Sequence, residues 1–182
     1  MIGFRQCDPR FPYLWEGSSQ PAGRWHAEGE GPAHYFADTP DGAWAELLRH
    51  EEITDPADLA TVRRAIWAVD LGEAPMVHPD VSPDMLAASK PGFGYDVCQA
   101  AARQARAAGH QRLDVPSLAL LPGGARGRRV DNGGDTPPRD GRVLVLYGDP
   151  GQLMLQGWPA AQAGAPSPDL LPRIRRYAST RD

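Results

Sequence analysis

The chain has 182 residues, 41 % of them apolar, and a formal net charge of −4. Length and apolar content suit one domain with its own core across residues 1–182, and the negative balance argues against general binding of nucleic acid, although RIRRY at 173–177 is locally basic. No run approaches the roughly 18 apolar residues of a membrane span, and the opening MIGFRQCDPRF carries charge where a secretion signal has its apolar stretch, so a soluble, cytoplasmic protein is expected. Cys7 and Cys98 lie far apart without ligand spacing and read as free thiols; no metal site is implied.

Twenty glycines and 19 prolines predict short elements separated by turns. In chain order, GFRQC (3–7) and AHYFA (33–37) read as strands, which puts Arg5 and Tyr35 on a sheet. TPDGAWAELLRHEE reads as a helix of about three turns, with Thr39 as cap, Pro40 first, and Ala43, Trp44, Leu47 and Leu48 as its apolar face. TDPADLATVRRA repeats the pattern from Asp55 and Pro56, and AIWAVDL follows as a strand with Ile66 and Ala68 opposite Trp67 and Val69. A short helix starts after Ser82. YDVCQAAARQARAAG is a clearer one, with Val97, Ala101 and Ala105 on one stripe and Gly109 at its end. A short strand leads into DVPSLALL, a glycine- and arginine-rich loop at 122–142 is expected to be mobile, and RVLVLYG is a further strand. In the C-terminal segment 160–182, the last 20 residues are too rich in proline for an element to be assigned. These elements make a single α+β domain, with a mixed or antiparallel core and short flanking helices.

Three residues in PAGRWHAEGEGPAHYFADTPDGAWAELLRH (21–50) stand out. Arg24 beside Gly23 can grip a phosphate or carboxylate; its plainer role is a surface arginine stacked on Trp25. Tyr35 is either a half-buried core residue or the wall of a pocket for a planar ring. Glu46 lies off the apolar face of its helix, with Gly42 and Ala43 leaving space beside it; its plainer role is a solvated carboxylate paired with Arg49 or His50. The five histidines show no metal spacing, and GGARG lacks the strand-to-helix setting of a phosphate loop.

The succession of FR, GRW with a glycine-rich turn, HYFADTPDGAWAELLRH and a distant VPS ahead of an apolar strand resembles the RES domain family, over residues 3–147 and most specifically between Gly23 and His50. The resemblance implies an ADP-ribosyltransferase-like fold and the toxin of a bacterial toxin–antitoxin pair, acting on NAD+ as substrate without metal. It implies catalytic roles for Glu46, Arg24 and Tyr35, and substrate contacts from Arg5, Arg24, Tyr35 and Ser117. Glu46 would stabilise the oxocarbenium-like ribose, Arg24 and Arg5 would hold the pyrophosphate, and Tyr35 would face the nicotinamide. NAD+ glycohydrolase or phosphorylase activity is the first implication; protein ADP-ribosylation and a silent antitoxin- or nucleotide-binding module are alternatives. The expected partner is a helix-turn-helix antitoxin of the Xre type, in a hetero-oligomer or beside a homodimer. His26, where many relatives carry asparagine, and the long 122–142 loop depart from the family pattern.

Overall fold

In the computed structural model, which describes residues 1–88, 94–127, 134 and 136–177, the apolar segments pair into one six-stranded antiparallel sheet. The strands are β1 (Ile2–Cys7), β2 (Ala33–Ala37), β3 (Arg64–Asp70), β4 (Arg112–Pro116), β5 (Arg142–Tyr147) and β6 (Gln156–Gly164), in the order β4-β5-β2-β1-β3-β6.

Register assigns each strand residue to a face, because side chains alternate along a strand and directly paired residues share a side. Phe4 pairs with Ala37, Tyr35 with Val145 and Gln6 with Ile66, so these six belong to one face. Arg5, His34, Phe36, Leu144 and Trp67 belong to the other. The first face carries two packed clusters. One joins Ala37 and Ile66 to Trp44 and Leu48 of helix α1 (Pro40–His50); the second joins Trp25, Leu113 and Val145 to Cys98 and Ala102 of helix α4 (Asp96–Ala107). The opposite face buries Phe36, Val69 and Leu146 beneath Tyr13 and Leu153.

Local chemistry explains the helix starts. Thr39 Oγ1 accepts the Gly42 amide at 3.0 Å and Pro40 occupies the first turn, where a missing N–H costs nothing. Asp55 caps α2 in the same way, but α2 (Pro56–Leu59) is a single turn. Helix α3 (Pro83–Ala88) follows Ser82, and Gly109 ends α4 region with φ +88°, a conformation only glycine adopts without strain. The buried stripe of α4 is Cys98 and Ala102, one residue on from the predicted stripe.

Two elements carried no sequence signal. Helix α5 (Pro150–Leu153) is one turn, and β6 reads QGWPAAQAG, with little β-branched content and an internal proline. It forms because it is an edge strand, where Pro159 can face away from the ladder and irregular register against β3 is tolerated. Within the proline-rich C-terminal segment, a 3-10 helix (Pro168–Arg173) leads to Ile174, which bridges to Leu120. The described ends of the 122–142 loop are joined by a bridge between Ala125 and Arg139; residues 128–133 and 135 of that loop lie outside the described residues. Cys7 and Cys98 are buried and belong to no disulfide. No helix among the described residues is long and apolar enough to cross a membrane.

Candidate active site

Arg24 and Trp25 sit at the tip of a tight turn. The Gly23 amide donates to the His26 carbonyl at 2.9 Å, and Gln99 Nε2, from α4, donates to the carbonyls of Gly23 and His26 at 3.0 and 3.2 Å. Beneath the turn stands Tyr35, whose hydroxyl accepts the Trp25 amide at 3.1 Å and lies 2.8 Å from His26 Nδ1. His26 Nε2 is 2.9 Å from the Pro21 carbonyl, which can only accept, so Nε2 carries the proton. Burial lowers the His26 pKa and keeps the ring neutral, and Nδ1 therefore accepts from Tyr35. A Cβ at position 23 would stand 2.6 Å from His26 Cε1 and 2.8 Å from the Tyr35 hydroxyl, so the GRW glycine is a requirement of space.

Burial also raises the Tyr35 pKa, so its hydroxyl is a neutral donor spent on the turn rather than a base. Tyr35→Phe should leave the Trp25 amide and His26 Nδ1 without their partner and cost about 1–3 kcal/mol, readable by chemical denaturation. Because the folded His26 binds its proton less readily than the ordinary value of 6.5, the unfolded chain takes up the extra proton as pH falls. His26's contribution to stability is full above that pH and is lost progressively below it. Melting temperatures between pH 8 and 5.5 should show the decline, and His26→Asn should reduce it, with buried His34, whose pKa is lowered in the same way, supplying the remainder.

Opposite this turn, α1 presents Glu46. Its Oε1 accepts a hydrogen bond from Ser117 Oγ at 2.9 Å. Ser117 Oγ itself accepts the Ala119 amide at 3.2 Å, and the Ser117 amide donates to Gly141 at 2.8 Å. The serine proton is thus committed to the carboxylate, which makes Ser117 an orienting donor. Neither plain pairing of Glu46 forms: Arg49 donates to the Leu118 carbonyl and lies against the Tyr177 ring at 4.3 Å. Burial lowers the Arg49 pKa, while Tyr177 and the charge of Glu46 oppose that shift. The space expected beside Glu46 is not supplied by Gly42 either, since that residue packs on Ala37.

Arg24, Tyr35 and Glu46 line one cavity of about 440 Å³, together with Trp25, His26, His50, Tyr95, Pro116 and Leu118. Arg24 stacks over Tyr95, 5.1 Å from the ring centroid, rather than on Trp25, and donates to the Leu86 carbonyl at 3.2 Å. A larger cavity, about 860 Å³, lies at the start of α1. It is the weaker candidate, because its Asp38 and Asp41 are already paired with Arg139 and Arg173.

Arg5 does not join the cavity. Strand alternation puts it on the opposite face of the sheet from Tyr35, where it pairs with Glu16 and lies over the Phe36 ring at 5.8 Å. Desolvation lowers its pKa to about 10. Glu16 Oε2 is 3.1 Å from His34 Nδ1, and His34 Nε2 lies 3.0 Å from the Gly148 carbonyl. The substrate-binding role expected of Arg5 therefore gives way to a buried polar network that ties β1 to β2. Sequence reading also passed over Tyr95 and Tyr177, whose relation to the site arises from tertiary approach and leaves no local pattern.

A single α+β domain whose antiparallel sheet supports an arginine turn facing a serine-held glutamate defines the class. The chain belongs to the RES domain family, whose model matches residues 4–130. A comparison with curated proteins finds no match. Among solved structures, the chain is similar to one in the crystal structure of the M. tuberculosis MbcT–MbcA toxin–antitoxin complex, with 19 % identity and a TM-score of 0.53, over 88 % of this chain and 84 % of that one. At that identity the likeness establishes the fold.

Proposed function

We propose that this protein is a toxin-like enzyme that binds NAD+ and cleaves the bond between nicotinamide and ribose, releasing ADP-ribose to water or phosphate. The observation that carries the reading is the pairing, across one cavity, of a serine-held carboxylate with an arginine. In the reaction the C–N bond breaks with its electron pair passing to the nicotinamide nitrogen, which becomes neutral. The ribose carbon left behind is oxocarbenium-like and is captured by water, which loses a proton, or by phosphate. Glu46 stabilises the positive charge that develops on the sugar, and the Ser117 hydrogen bond fixes its direction. Arg24 holds a phosphate of the dinucleotide, and the aromatic walls at Tyr35 and Tyr95 suit a flat cationic ring.

The family assignment and the toxin–antitoxin complex of the structural neighbour support a cognate antitoxin; in this proposal it is a helix-turn-helix protein that shields the cleft in the cytoplasm. Such a partner should compete with NAD+ and depend on Arg24. The deciding experiment is incubation of purified protein with NAD+, with and without phosphate, followed by identification of products. Nicotinamide with ADP-ribose marks hydrolysis, and ADP-ribose 1-phosphate marks phosphorolysis. Intact NAD+ after prolonged incubation sinks the proposal.

A further inference from the structure

A second cavity, about 250 Å³, adjoins the first. Pro116 and Leu118 line both. Ser117 lines the second while donating to Glu46 in the first, and Leu86 lines the second while its carbonyl receives Arg24. The two cavities are therefore adjacent lobes, separated by the Pro116–Leu118 segment.

The second lobe has an apolar wall that includes Leu120 and Leu121, with Arg175 and Asp140 as its charged members. Arg175 arrives from the C-terminal segment, beyond the residues matched by the family model. Its backbone is fixed, since its amide donates to the Ala119 carbonyl at 2.9 Å and the Arg173 carbonyl accepts the Leu121 amide at 2.8 Å. Its guanidinium makes no hydrogen bond or ion pair with a described residue. Arg24, Arg49 and Arg175 interact electrostatically around the divide, where Glu46 and Asp140 are the opposing carboxylates, so the positive charge that remains is what a bound anion would balance. Asp140 Oδ1 accepts the Gly123 amide at 2.8 Å, which orients a carboxylate able to accept from an amine or a sugar hydroxyl.

We propose that this second lobe receives the adenylate half of the dinucleotide, with Arg175 donating to its phosphate and the leucine wall packing against adenine. The inference rests on the NAD+ reading of the first lobe and extends it. A bare phosphate would make no use of the apolar wall. A flat heterocycle joined to a phosphate uses both the wall and the arginine, and the partition with Arg24 lies where the two halves of a dinucleotide meet.

The test uses the two halves of NAD+ separately on the full chain. AMP should bind the wild type in calorimetry and compete with NAD+. Arg175→Met should weaken AMP binding by about tenfold or more, the scale of losing a charge-assisted hydrogen bond, and should raise the KM for NAD+ while kcat stays within about twofold. Cleavage of nicotinamide mononucleotide, which lacks the adenylate, should be unchanged. The melting temperature should hold, because the replaced side chain has no partner among the described residues. AMP that fails to bind at millimolar concentration, or that binds wild type and Arg175→Met equally, overturns the inference while leaving NAD+ cleavage by the parent intact. Arg175-dependent AMP binding by a protein that consumes no NAD+ has the opposite meaning: the lobe stands and the cleavage reading falls.

Discussion

Glu46→Gln is expected to lower NAD+ turnover by about a hundredfold or more, with little change in affinity or melting temperature. Glutamine keeps the volume of glutamate and an oxygen that can accept from Ser117 Oγ, so the contact at 2.9 Å can persist. Only the charge is lost, and that charge matters most once the ribose has become cationic. Arg24→Ala should behave differently. A phosphate contact exists in the ground state as well as in the transition state, so its removal should weaken binding at least as much as it slows the chemistry. NAD+ loss measured on wild type and both variants, with calorimetry as the control for folding, separates the two roles. Undiminished cleavage by well-folded Glu46→Gln would exclude Glu46 as the stabilising carboxylate. A large loss of stability in that variant would make the Ser117–Glu46 bond a structural one.

The parts of the fold legible in the sequence were those written in local chemistry. Thr39-Pro40 announces α1 because a capping oxygen and a residue without an N–H both belong at a helix start, and AHYFA coincides with β2 because turn residues bound it on each side. Arg24, Tyr35, Glu46 and Ser117 could be ordered along the chain through the family pattern, but their meeting in space depends on strand pairing across more than seventy residues, as for Glu46 and Ser117. Arg5 shows the limit most clearly. GFRQC mixes apolar and polar residues on both parities, so its face is set only by the pairing of Phe4 with Ala37, which no local window contains. Edge strand β6 illustrates a second limit, since its place comes from β3 beside it rather than from its own composition. Arg175 and Tyr177 illustrate a third: a proline-rich tail carries no periodicity, yet backbone bonds to Ala119 and Leu121 hold it beside the site.

The reassignment of Arg5 leads to a stability effect with no counterpart in substrate affinity. Arg5 and Glu16 have side chains 11 % and 4 % exposed, and Glu16 also faces the fully buried His34. Glu16→Ala strands a buried guanidinium that already has one nitrogen, Nη1, without a partner. Removal of one member of a buried ion pair costs about 3–5 kcal/mol, because the remaining charge keeps its desolvation penalty without the attraction that offset it. For a chain of this length that is a fall in melting temperature of roughly ten degrees. Arg5→Met should cost less, since methionine can occupy apolar space beside Phe36 and the proton between Glu16 and His34 can settle to leave both neutral. Neither substitution should raise the KM for NAD+ in the folded fraction, because the network lies on the face of the sheet opposite Tyr35. Thermal and chemical denaturation, paired with steady-state kinetics, decide the matter. An Arg5→Met protein of undiminished stability whose KM rises tenfold would return Arg5 to the substrate and refute its role as a strut between β1 and β2.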